Sequence, residues 1–214
     1  MKDDVQNVKS KSMLVLASAS PRRLELLKQI GVEPERCYPT SIDETPLKDE
    51  NARVYVRRIA FEKACAARDA LRDLPDYDKI LILAADTVVV RGKTILQKPK
   101  TVEEASYYLE RLSGQTHRVY TSVILLNSKG QCRKRLVESR VRFMRLNNEI
   151  KKAYLTSGEW QGKAGGYAIQ GLAGSFVTKL TGSYSNVVGL PVHETLTMLI
   201  EEKYPVLEAW KTNI

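Results

Sequence analysis

Met13-Leu-Val-Leu-Ala-Ser-Ala-Ser-Pro-Arg-Arg23 is the stretch on which the fold turns. Met13 to Ala17 is an unbroken apolar run, the pattern of a strand buried on both faces. Ser20 then reads as an N-cap and Pro21 as the first residue of a helix. Leu24, Leu27 and Ile30 recur at helical spacing, and Gly31 supplies the stop. A buried strand leading into a helix N-terminus turns backbone amides toward a common point, which suits an anion. Arg22 and Arg23 add fixed charge and paired donors, which suit phosphate. The same residues also fit a surface turn with two solvated arginines, or a Ser-Pro-basic tail that touches DNA.

Beyond this unit, Cys37 to Ile42 reads as extended and ends at Asp43-Glu44. Asn51 to Leu71 reads as a long helix with a narrow small-residue stripe, Ala60, Ala64, Ala67 and Leu71. Lys79 to Val90 is the most apolar segment, and Thr94 to Leu96 returns from it through Arg91-Gly92-Lys93. Thr101 caps a helix to Leu112. His117–Leu126 and Cys132–Met144 pair as strands, and Asn147 caps a helix to Thr156. A glycine-dense loop over 158–174 precedes a short strand, Ser175 to Leu180, and a last helix from Val192 to about Tyr204. The order predicts an α/β fold with a mixed twisted sheet and flanking helices. Residues 1–12 read as a flexible arm and 13–214 as a single domain of two lobes, with breaks near 100 and 157.

Composition narrows the class. The chain has 214 residues, 43% of them hydrophobic, enough for a real core. No apolar run reaches the length of a membrane span, and the polar start lacks the apolar segment of a secretory signal. Three widely spaced cysteines, with no CxxC pair, argue against a disulfide framework or zinc site and favour a reducing, cytoplasmic setting. The net charge of +9 suits nucleic acid, an anionic membrane or a phosphorylated small molecule. Its one local excess, Arg133 to Arg145, lies in a strand-like stretch that reads as a solvated sheet face. No RNA-binding aromatic motif, zinc finger or basic heptad accompanies it, so no nucleic-acid partner is expected.

Asp86 interrupts a buried strand, where an unpaired carboxylate is costly. It must be paired, bind a metal, line a cleft or cap a turn. Taken singly, Lys63, Lys98 and Gln170 carry little weight, and His117 reads as a hydrogen-bonded structural residue. Tyr107 and Tyr108 read as helix packing, and Trp210 as tail packing.

Taken together the motifs are specific. LASASPRRLELLKQIG, SIDE, AFEKA, AADTVV, LQKP, LSGQTHRVYTSV, EWQGKAGGYAIQG and GSYSNVVGLP occur in the order seen in the Maf family, the septum-formation (Maf-like) nucleoside triphosphate pyrophosphatases. The resemblance runs from about Leu14 to Glu202. It implies an inosine-triphosphatase-like fold with a cleft between two lobes, and metal-dependent hydrolysis between the α and β phosphates. Carried over residue by residue, it puts the general base on Asp86 and phosphate and metal-site roles on Ser18, Arg22, Arg23, Glu44, Lys63 and Lys98. It puts specificity on Arg22, Thr87 and Gln170.

Glu44 and Asp86 are the carboxylates for a divalent cation, magnesium foremost, with manganese or cobalt as alternatives. Asp86 would activate the attacking water or hold that cation. The Ile-Gln-Gly form resembles the branch acting on dTTP and UTP, and differs from the 7-methyl-GTP branch. A glutamine amide offers a donor and an acceptor to O4 and N3–H of thymine or uracil, although a flipped amide suits cytosine equally. Two departures stand out: Gly162 precedes Lys163 where an acidic residue is frequent, and Trp160 replaces a frequent proline. A nucleic-acid-binding regulator of septum formation is the competing class, and a homodimer is compatible with either.

Overall fold

The computed structural model describes residues 12–212, without the side chains of Ala209 and Thr212. All of the arm expected at 1–12 except Ser12 lies outside the described residues. The chain begins with β1 (Met13–Leu16), α1 (Pro21–Gln29), β2 (Arg36–Cys37) and α2 (Ala52–Ala70). Next come β3 (Ile80–Arg91), β4 (Thr94–Leu96), α3 (Val102–Leu112), β5 (Thr116–Asn127) and β6 (Cys132–Phe143). The remainder is α4 (Asn148–Ser157), β7 (Val177–Thr181), α5 (Tyr184–Val188), α6 (Val192–Glu201) and α7 (Val206–Thr212).

The strands form one seven-stranded sheet in the order β2-β1-β3-β5-β6-β7, with β4 on β3. β2, β1 and β3 run parallel, and the rest of the sheet is antiparallel. The fold is therefore the α/β mixed sheet with flanking helices that the sequence predicts. Along β3 the side chains alternate. Ile80, Ile82 and Ala84 join the core under α2, while Leu81, Leu83 and Ala85 join the larger core on the other face. Ala60, Ala64 and Ala67 of α2 are fully buried, and their small side chains let the helix lie close to the sheet.

Local chemistry explains most element ends. Asn51, Thr101 and Asn147 accept hydrogen bonds from the first-turn amides of α2, α3 and α4, as expected of caps. Ser20 is different. Its backbone is extended before Pro21, but its hydroxyl caps nothing, and the Arg23 amide bonds the Ser20 carbonyl instead. The extended run after Cys37 is also shorter than expected. Leu16, the partner of Cys37, is the last residue of β1, so β2 has nothing further to pair with. α5 and α7 fall in segments to which the sequence assigns no helix. Trp210 is exposed rather than packed, and its indole N–H ties the tail to the end of α1 by donating to the Ile30 carbonyl at 2.8 Å. Tyr108 packs against the larger core as expected, whereas Tyr107 is exposed, lying beside Tyr108 and Arg111 and accepting a hydrogen bond from Arg111.

Candidate active site

The site begins with a gap in the sheet. β1 pairs with β3 only as far as Leu83, and β4 pairs with β3 only from Val89. Between them, Ala84 to Val88 have a strand on the β5 side alone. This open edge lies just past the carboxyl end of β1, where ligands of such sheets bind. Asp86 sits in the middle of it and is only 5% exposed.

Asp86 is paired. Lys63 Nζ donates to its Oδ1 at 2.8 Å and lies 2.7 Å from Glu44 Oε1. Lys63 is itself only 7% exposed, so a buried ammonium bridges two carboxylates. Glu44 Oε2 also accepts from Lys98 at 3.2 Å. Burial works to raise the Glu44 carboxyl, but Lys63 and Lys98 outweigh it and hold the group below its ordinary range. The segment carrying Glu44 is held to α2. Tyr55 donates its hydroxyl to the Glu44 carbonyl at 2.8 Å, and Arg58 bonds Glu50 and the Thr45 carbonyl. Tyr55, Ile59 and Lys63 are spaced four apart on one face of that helix.

Arg23 is fixed by uncharged oxygens. It donates to the Gly189 carbonyl at 2.9 Å, to Ser18 Oγ at 3.0 Å and to Thr87 Oγ1 at 3.5 Å. Thr87 Oγ1 lies 2.9 Å from Thr121 Oγ1, and Thr121 donates to the Asn186 carbonyl. The fully buried Asn186 also donates to the Val119 carbonyl and Ser139, which binds α5 to the sheet. Burial is the main cause lowering the Arg23 guanidinium from its ordinary value, against the charges of Asp86 and Glu44.

The far wall is the loop after α4, and it is fastened at several points. Trp160 donates its indole N–H to the Leu155 carbonyl, and Glu159 accepts from the Leu172 and Ala173 amides. Gly165 has φ +70°, donates to the Gln97 carbonyl and lies where a Cβ would come within 2.9 Å of Val89. Tyr167 Oη is 2.8 Å from His117 Nε2, inside an edge-to-face cluster with Phe143. This bears out His117 as a hydrogen-bonded structural residue.

These walls enclose a cavity of about 550 Å³, within the range of small-molecule sites. Arg22, Arg23, Lys63, Asp86, Thr87, Lys98 and Gln170 line it. Glu44 lies in an adjoining cavity of about 390 Å³, joined at Asp86, Thr87 and Lys98. Ser18 lines neither; its hydroxyl accepts a hydrogen bond from Arg23. The fold thus brings together residues drawn from positions 18 to 170.

Over residues 13–202 the chain matches the family described as Maf-like protein. The chain belongs to that family. The dTTP/UTP pyrophosphatase of Nitrobacter winogradskyi is 56% identical over 197 residues, covering 92% of this chain and 95% of the relative. That of Mesorhizobium japonicum is 53% identical over 199 residues, covering 93% and 96%. Among solved structures, the Staphylococcus aureus Ham1 protein aligns with a TM-score of 0.43 and 14% identity over 62% of this chain and 72% of that one.

Two features of this Maf-like chain were not assigned to the site from sequence. Tyr55 supports Glu44, and its four-residue spacing from Ile59 and Lys63 was the available signal. Lys163 lines the main cavity, and the signal for it in the sequence is its place in the Lys-Ala-Gly motif, next to the departure at Gly162. The basic strand β6 stands apart from the site. Arg133 and Arg135 pair with Glu201 and Glu202, and Arg140 pairs with Glu138. Among the described residues no helix is long and apolar enough to cross a membrane.

Proposed function

We propose that this Maf-like protein hydrolyses dTTP and UTP to the nucleoside monophosphate and pyrophosphate, a reading supported by relatives that bear the name dTTP/UTP pyrophosphatase. One observation carries the reading: a buried carboxylate, Asp86, faces an open-mouthed cavity whose other charged walls are mostly cationic. A triphosphate supplies the matching charge.

Glu44 and Asp86 are the residues that would hold a divalent cation. Their oxygens converge on one point, met in this structure by the Lys63 ammonium at 2.7 and 2.8 Å, so a metal would bind beside or in exchange for that contact. Magnesium needs only one or two carboxylates when substrate phosphates complete its shell. When bound, such a cation would neutralise phosphate charge and acidify water. Manganese and cobalt suit the same donors.

In this reading Asp86 accepts a proton from water as its oxygen attacks the α-phosphorus. The bond from that phosphorus to the α–β bridging oxygen breaks, and pyrophosphate leaves. Arg22, Arg23, Lys63 and Lys98 stabilise the negative charge that collects there. Ser18 positions Arg23, and Thr87 ties it to the sheet. The Gln170 amide reads O4 and N3–H of the base. It makes no hydrogen bond among the described residues, so the arriving base sets its orientation. We further propose that the described chain works as one domain of two lobes in the cytoplasm.

The test is pyrophosphate release from dTTP, UTP, CTP, 7-methyl-GTP and ITP with magnesium, beside Asp86→Asn. Release from dTTP and UTP that the variant loses supports the reading. Activity confined to another nucleotide overturns the specificity, and silence across the panel with several divalent metals overturns the reaction.

A further inference from the structure

Five cationic side chains line the main cavity, and they are not equivalent. Lys63 and Lys98 are committed to Glu44 and Asp86. Arg23 is held by neutral oxygens. Among the described residues, Arg22 and Lys163 have no carboxylate within ion-pairing distance. Lys163 donates only to the Gln161 carbonyl at 3.0 Å, and Arg22 makes no hydrogen bond among the described residues.

The two also feel each other. Burial lowers the Lys163 ammonium from its ordinary value, and the charge of Arg22 lowers it further, against a weaker opposing pull from Glu159. Glu159 spends its carboxylate on the Leu172 and Ala173 amides. Glu25, on α1, is felt by Arg22 but does not pair with it. Two half-buried cations on different elements, α1 and the loop after α4, therefore face one cavity with no carboxylate in ion-pairing distance of either, although Glu25 also lines it. A multiply charged anion between them relieves that repulsion and makes charge-assisted hydrogen bonds to both.

From this geometry we infer that Lys163 is a substrate-binding residue that grips the triphosphate together with Arg22, in the cavity that the Asp86–Lys63 pair also lines. The identity of the anion rests on the pyrophosphatase reading above. The loop that carries Lys163 also carries Gln170, so one fastened segment presents a cation to the phosphates and an amide to the base. Its attachments at Trp160, Gly165 and Tyr167 hold it in place before substrate arrives. Lys163 thus binds from a preorganised position.

The test compares wild type, Lys163→Met and Lys163→Arg, with folding checked by thermal unfolding. Two quantities are read: the KM for dTTP, and the affinity for inorganic tripolyphosphate by calorimetry. Lys163→Met is expected to raise KM and weaken tripolyphosphate binding by about tenfold or more each. Lys163→Arg should recover most of both, and the preference for dTTP over CTP should not move. Unchanged tripolyphosphate affinity in Lys163→Met overturns the inference, and so does a change in base preference without one. If wild type hydrolyses no nucleotide, the pyrophosphatase reading fails. The calorimetric arm still decides whether Lys163 and Arg22 form an anion site.

Discussion

Arginine is plentiful both on the surface of β6 and around the cleft, yet the two regions treat it in opposite ways. On β6, Arg133 and Arg135 meet Glu201 and Glu202, and Glu138 gathers Arg53, Arg118 and Arg140. Most of the charge there is spent within the protein; of the β6 arginines, Arg142 alone has no carboxylate partner among the described residues. In the cleft, Arg23 rests on neutral oxygens, and Arg22 and Lys163 have no carboxylate partner among the described residues. That charge is left for something that arrives from outside. The lesson concerns the net charge of +9, which by itself points to any polyanion. The identity of each cation's partner is what separates a solvated face from an anion site.

The sharpest way to break this contrast is at the carboxylate that the cleft cations surround. Asp86→Asn should lower kcat by about 10²-fold or more, as loss of a positioned base does. Glu44 still pairs with Lys63 in that variant, so the fold should survive and the loss can be read as chemistry. Near-wild-type turnover would remove Asp86 from the mechanism.

The next effect is on stability and concerns the wall behind the loop. Burial, aided by the charge of Arg91, pushes the His117 imidazole down to about 3 from an ordinary 6.5. A ring neutral in the fold but protonated when unfolded gives stability that is full above about pH 6.5. That stability is lost as the pH falls toward 3. Between pH 7.5 and pH 5 the fold should therefore lose about 2 kcal/mol from this group. Urea titrations at both values should show the loss, and His117→Phe should flatten it. An equally steep decline in that variant would assign the effect to other groups.

Gln170→Glu sharpens the contrast between the two tasks of the loop. It should cut kcat/KM for dTTP and UTP by about tenfold, because a carboxylate lacks the amide's donor. Tripolyphosphate affinity should change far less. Unaltered base preference would detach Gln170 from the base. The smallest effect belongs to the other region. Arg135→Ala should leave kcat/KM within about twofold and stability within about 0.5 kcal/mol, as exposed ion pairs contribute little. A large drop in activity there would mean that the β6 surface serves the substrate after all.

Much of this was legible in the order of residues. The apolar runs of β1 and β3 mark buried strands, and Asn51, Thr101 and Asn147 mark helix starts, because these signals act within a few residues. The eight motifs in order identify the family and name most of the cleft. Where a local signal met a competing partner it failed. Ser20 looks like a capping serine, but its carbonyl takes the amide that its hydroxyl was expected to hold.

What the sequence determined by itself is the set of elements, their class and the side chains available for chemistry. Only the tertiary structure decided where β1 stops relative to β3 and where β4 begins, and so where the sheet edge is open. It also decided which cations are satisfied, since Lys63 finds Glu44 and Asp86 while Lys163 finds only a carbonyl. Both lysines have the same intrinsic chemistry. Their partners lie up to dozens of residues away in the chain, and distance in space, which sets the strength of a charge interaction, is fixed only when the elements pack.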